Sequence, residues 1–135
     1  MRAHVQTQAL ARDPLVLQPQ SVVKVADNSG ARRVRCIRVL GASKKRSARL
    51  GDVIKASAVD VMPRSKLKKG QVVNAVVVRL KSTTRRLLGH IRFDASAVVV
   101  LNEKFEPVAT RLFGVVPREL KAISPKVFNM ARESA

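Results

Sequence analysis

The sequence predicts a mainly β protein: a small five-stranded β-barrel followed by short C-terminal helices. Three observations predict it. Short runs rich in Val and Ile recur between clusters of Gly, Pro, Asn and Ser, the spacing of strands in a small barrel or sandwich. One of these runs is apolar on both parities, as a strand is when both its faces are covered. The end of the chain then changes to short helical patterns opened by prolines. A chain of 135 residues with 46% hydrophobic content suits one domain with a modest core.

Residues 1–15, MRAHVQTQALARDPL, carry two arginines and one acid and close on Pro14. They read as an N-terminal extension, either an organellar targeting segment or a basic arm. Residues 16–116 hold the barrel. Its strands are SVVKVA, VRCIRVL, DVIKASAVDVM, QVVNAVVVRL and AVVVL. In VRCIRVL the apolar alternation breaks around Ile37, between Arg35 and Arg38, which points to a β-bulge. The stretch Ala75 to Arg79, apolar on both parities, belongs in the middle of the fold. Residues 117–135 form the helical segment, with Pro117 before RELKAI and Ser124-Pro125 before KVFNMAR, each reading as an N-cap with Pro at the first helical position.

The charge balance is 27 Lys and Arg against 9 Asp and Glu, a net +18. A compact domain with that self-repulsion calls for a polyanion. An anionic membrane would require a basic amphipathic helix or about 20 consecutive apolar residues, and the sequence has neither. Much of the charge lies between strands, in SKKRSAR, RSKLKKG and KSTTRR. Loops gathered at one end of a barrel would make a continuous phosphate-binding surface. With no Trp or Tyr and only four Phe, base stacking is a minor mode. Contacts to phosphates and ribose hydroxyls of a folded RNA fit better. Asp27-Asn28-Ser29-Gly30 reads as a tight turn that sets the exit angle of Arg32 and Arg33.

No reaction chemistry stands out. His90, Asp94 and Ser96 lie in GHIRFDAS, which lacks a nucleophile elbow. His4, His90 and Cys36 are too far apart to suggest a metal site. No P-loop or dinucleotide fingerprint appears, so neither a cofactor nor a small-molecule substrate is expected. The single Cys36, inside an apolar run, reads as core filling and as a mark of a reducing compartment. Two rivals to an RNA-holding structural protein are a free RNA- or DNA-binding β-barrel acting as regulator or chaperone, and an RNA-acting enzyme using His90 and Asp94.

The motifs QSVVKVADNSGARRVRCIRVLG, GDVIKASAVDVMPRSKLKKGQVVNAVVVR, RRLLGHIRFD with AVVVLN, and ATRLFGVVPREL resemble, in order, the universal large-subunit ribosomal protein fourteen family. The resemblance runs from about Leu17 to Leu120. It implies a five-stranded barrel at the subunit-facing side of the large ribosomal subunit, with an architectural role. It implies large-subunit rRNA as ligand, with the third and nineteenth large-subunit proteins of the bacterial naming as neighbours and bridges to small-subunit rRNA. Carried over by motif, RNA contacts fall on Asn28, Ser29, Arg32 and Arg33, on Lys44, Lys45 and Arg46, on Arg64, Lys66, Lys68 and Lys69, and on Arg79, Arg85 and Arg86. Thr110, Arg111, Phe113 and Arg118 match the family's bridge-facing surface, where the ribosome-silencing factor docks.

Two departures from the family pattern stand out. Leu87-Leu88-Gly89-His90 replaces a Pro-Asp-Gly type turn, which suggests a protein contact at that tip. The Arg-bearing extension on a bacterial-type core points to a mitochondrial ribosome, the alternatives being a bacterial cytoplasm or another organelle.

Overall fold

The computed structural model describes residues 17–41, 47–82, 84–86, 89–131 and 133–134, with only the backbone at Arg85, Arg86 and Glu133. The N-terminal extension, Lys44, Lys45, Arg46 and the Leu87-Leu88 tip lie outside the described residues. Strands β1 (Val22–Val25), β2 (Ala31–Val39), β3 (Val53–Val61), β4 (Val72–Arg79) and β7 (Ala97–Leu101) close a barrel in the order β1-β2-β3-β4-β7. A small hairpin, β5 (Thr84–Arg86) and β6 (Gly89–Ile91), interrupts the connection from β4 to β7. All barrel neighbours are antiparallel except β1 and β7, which are parallel. In a ring of five strands that alternate in direction, the first and fifth must point the same way, so one seam is necessarily parallel.

The same alternation corrects one expectation from the sequence. The connections β2 to β3 and β4 to β7, which carry SKKRSAR and KSTTRR, leave from one end of the barrel, whereas β3 to β4, which carries RSKLKKG, leaves from the other. Successive antiparallel connections alternate ends, so the strand ends that flank these three segments are divided between the two ends of the barrel.

Inside the barrel pack Val23, Val34, Cys36, Val39, Ile54, Ala56, Ala75, Val77, Val98 and Val100. These are small and β-branched side chains, as a narrow five-stranded barrel requires. In β2 the inward residues are Ala31, Val34, Cys36 and Val39, a spacing of three, two and three that strict alternation cannot give. Register shifts against β3 between Ala31 and Arg33, and between Cys36 and Arg38, resolve it. Arg32 and Ile37 are the extra residues, and both are exposed. The bulge expected near Ile37 is therefore present. Burial pushes the Cys36 thiol above its ordinary value, which leaves it inert as core filling.

The outward residues of β4 and β7, Val76, Val78, Ala97, Val99 and Leu101, are also buried. Their cover is the C-terminal segment, which adds Leu112, Val116, Leu120 and Val127 to form a second core. That segment holds β8 (Val115–Val116), α1 (Leu120–Ile123), α2 (Pro125–Met130) and β9 (Glu133–Ser134), with β9 parallel to β8. α2 opens at Pro125 as expected, although Ser124 makes no side-chain cap. α1 starts later than expected. Pro117 to Glu119 form a turn, in which the amides of Leu120 and Lys121 donate to the carbonyls of Pro117 and Arg118. Helices this short have no stability of their own, so their order derives from the apolar face they cover.

Leu120 is 0% exposed in that second core. Leu120→Ala should cost about 2–5 kcal/mol in urea unfolding, the cost of an unfilled core site. Phe113→Ala, at a position 55% exposed, should fall within about 0.5 kcal/mol of the parent.

Candidate nucleic-acid interface

The outward side chains of β1, β2 and β3 make a cationic sheet face. Val23, Val34, Val39, Ile54 and Ala56 point inward, so their neighbours Lys24, Arg33, Arg35, Arg38 and Lys55 point outward. The register sets Lys24 opposite Arg33 and Arg38 opposite Lys55. Like charges directly across a ladder destabilise a sheet. Asp60 stands opposite Arg33 on the other side. The sequence turns the arginines of VRCIRVL outward toward RNA phosphate but does not single out Lys24 and Lys55. The signal was there: they alternate with the apolar residues of the strands, once the bulges are allowed for.

At one end of the barrel, the 62–71 connection presents Arg64, Lys66, Lys68 and Lys69, all exposed. Leu67 between them is 8% exposed and packs into the barrel core, anchoring the loop while the cations stay in solvent. The Ser65 hydroxyl donates to the Leu67 carbonyl at 2.6 Å. The Lys68 amide donates to the Gln71 side chain at 3.1 Å. Arg64 adopts a left-handed backbone, φ 64°. Arg85 and Arg86 lie in β5.

Four of the predicted RNA residues occupy the start of β2 and the turn before it. Arg32 is exposed and Arg33 half-buried. Asn28 and Ser29 are committed elsewhere. The Asn28 Oδ1 accepts from the amides of Thr110 and Arg111 at 3.2 and 3.0 Å. The Ser29 hydroxyl donates to Asp27 Oδ1 at 2.6 Å, and the Ser29 amide donates to the same oxygen at 3.1 Å. The other Asp27 oxygen accepts from the Val100 amide at 2.9 Å. Gly30, at φ +111°, lies so close to Ser65 that a Cβ there would collide with it.

Arg79 adjoins the sheet face at Lys24. Its guanidinium is partly buried in a cleft of about 480 Å³ that Phe93, Asp94, Phe113 and Gly114 also line. A Cβ on Gly114, which sits at φ +87°, would run into that guanidinium. Burial pushes the Arg79 pKa below its ordinary value, although an arginine stays cationic at neutral pH. Its position braces the 113–115 segment against β4. Thr110, Arg111 and Phe113 are exposed on one short run, whereas Arg118 lies beyond β8 in the turn before α1.

The residues weighed for catalysis are dispersed in role. His90 and Asp94 are exposed, while Ser96 is 0% exposed and its hydroxyl accepts the Lys81 amide at 3.1 Å. A buried hydroxyl that holds a loop is poorly placed to attack a substrate.

A barrel closed by one parallel seam, its second face covered by the chain end and its first carrying cations, agrees with the order of motifs in the sequence. The family model described as Ribosomal protein L14p/L23e matches residues 16–135. The chain belongs to that family. Ribosomal L14 proteins are structural, non-enzymatic components of the large ribosomal subunit. Large-subunit rRNA and other ribosomal proteins are therefore the partners of this L14 chain, and the ribosome is its location.

Asp27 offers a test of the turn's electrostatics. Burial raises its pKa from the ordinary 3.8, and the hydrogen bonds from Ser29 and Val100 pull it part of the way back. Between 3.8 and the raised value the folded chain binds more proton than the unfolded chain, so Asp27 makes stability fall as pH rises through that window. The unfolding free energy of the parent minus that of Asp27→Asn should fall across the same window. The variant should also be less stable at neutral pH by about 1–3 kcal/mol, because its amide turns a donor toward a buried N–H. Chemical denaturation from pH 3.5 to 7 measures both.

Proposed function

We propose that this L14 chain grips large-subunit rRNA with the outer face of β1–β3 and with the 62–71 connection. In the same reading the exposed run Thr110, Arg111 and Phe113, with Arg118, faces the small subunit. The observation that carries the proposal is the gathering of cations on one solvent-facing sheet, with Arg38 directly opposite Lys55 and with Lys24, Arg33 and Arg35 on the same face. Such a face is electrostatically unfavourable in water and favourable against phosphate, where counterion release drives binding.

The exposed cations Arg32, Arg64, Lys66, Lys68 and Lys69 extend the grip to one end of the barrel. Lys44, Lys45, Arg46, Arg85 and Arg86 are further rRNA contacts by the family motif. Arg79 contributes by holding the 113–115 segment, and Asn28 and Ser29 by shaping the turn. The third and nineteenth large-subunit proteins are its proposed neighbours, and the Leu87-Leu88 tip is a further protein contact. Small-subunit rRNA and the ribosome-silencing factor meet the chain at Thr110 and Arg111. The Arg-bearing extension supports a mitochondrial large subunit as its home.

Sedimentation of mitochondrial and cytosolic lysates tests identity and location together. Salt-resistant co-migration with mitochondrial large subunits is the expected result. Co-migration in the cytosol alone removes the location, and a chain found free in both removes the structural role in favour of a reversible nucleic-acid binder. For the sheet face, Arg35→Gln and Lys55→Gln should each reduce the salt slope of binding to a large-subunit rRNA fragment by about 1. Lys126→Gln, at a lysine ion-paired with Glu106 at 2.6 Å, should leave the slope as it is.

A further inference from the structure

The turn that reads in sequence as a route for arginines to leave the barrel is bonded instead to a segment more than eighty residues later. We infer that Asn28 is the positioning residue of the Thr110–Arg111 surface, fixing the backbone from which Arg111 meets its partner. The inference rests on the proposed role of that surface.

Three facts carry it. The Asn28 carboxamide oxygen accepts two backbone donors, the amides of Thr110 at 3.2 Å and Arg111 at 3.0 Å, which fills both of its lone pairs. The carboxamide nitrogen donates to the Thr110 hydroxyl at 3.3 Å, and the Asn28 amide donates to the Arg111 carbonyl at 3.3 Å. One residue thus holds both peptide groups that flank the Arg111 side chain. Residues 110 and 111 belong to no strand or helix, and the sheet-like contact resumes only at Leu112, which bridges Asp27.

The clasp stands on a rigid base. Asp27 is 3% exposed and tied to β7 through the Val100 amide. On the other side of the run, the Phe113 amide donates to the Ala26 carbonyl at 2.7 Å. The base fixes where the segment enters, and Asn28 fixes the two exposed residues between. A long side chain such as Arg111 loses less conformational freedom on binding when its backbone is already set, so loosening that backbone weakens docking without removing a contact.

Asn28→Ala, Asn28→Asp and Arg111→Ala separate these roles. Asp keeps the oxygen acceptor for both amides, and the Thr110 hydroxyl can turn to donate to its second oxygen, so it is the rescuing variant. In the full chain, hydrogen exchange at the amides of Thr110 and Arg111 should quicken by about tenfold in Asn28→Ala and stay near the parent rate in Asn28→Asp. Large subunits carrying each variant at equal occupancy should join small subunits severalfold less well with Asn28→Ala and with Arg111→Ala, and at the parent level with Asn28→Asp.

Unchanged exchange in Asn28→Ala overturns the inference at its first step. Faster exchange with normal joining, while Arg111→Ala still impairs joining, also overturns it and leaves the surface reading intact. If neither Asn28→Ala nor Arg111→Ala affects joining, the surface reading fails and takes the inference with it.

Discussion

The structure hangs on how the parallel seam between β1 and β7 is closed. Only two residue pairs register across it, Lys24 with Ala97 and Val25 with Val98. Beyond Val25 the pairing continues through the Ala26 amide, which donates to the Val98 carbonyl at 2.8 Å, and then through the Asp27 carboxylate, which takes the Val100 amide. A side chain thus replaces a backbone carbonyl where the first strand turns away. Without it, β7 would present an unsatisfied amide beside the core, at a typical cost of about 1–3 kcal/mol. Burial of that carboxylate is unfavourable in itself, and the donors from Ser29 and Val100 offset part of that cost.

From that seam the two faces of the barrel take different fates. The β4–β7 side is apolar outside as well as inside, and the returning chain covers it with β8 and the two short helices. The β1–β3 side remains open and carries Lys24, Arg33, Arg35, Arg38 and Lys55. One face is closed by protein and the other is left cationic and exposed. The described cations of the 62–71 connection, Arg64, Lys66, Lys68 and Lys69, add charge at one end of the barrel.

Much of the site could be read along the chain, but unevenly. The exposed lysines of 64–70 sit in a loop flanked by strong strand signals, and their placement needs only local rules. The misreadings involve residues whose partners are distant in sequence. Asn28 has the composition of a turn residue, and nothing local shows that its carboxamide reaches Thr110 and Arg111. Arg79 follows an apolar run like any strand-end cation, yet its guanidinium lies against Gly114. The cations of β1–β3 form one face only when three strands are brought into register, with bulges at Arg32 and Ile37 restoring the inward residues.

By itself, then, the sequence determined what local periodicity and composition control: five strands, a doubly covered fourth strand, a helical close, a basic surface in search of phosphate, and a family resemblance carried by ordered motifs. The tertiary structure alone decided which loop lies at which end, because strand alternation is a property of the closed ring. It also decided which polar side chains hold the protein together and which face outward. Hydrogen bonds spanning more than seventy residues, such as those of Asp27 to Val100 and Asn28 to Arg111, exist only after the barrel has closed and brought its chain end alongside the first turn.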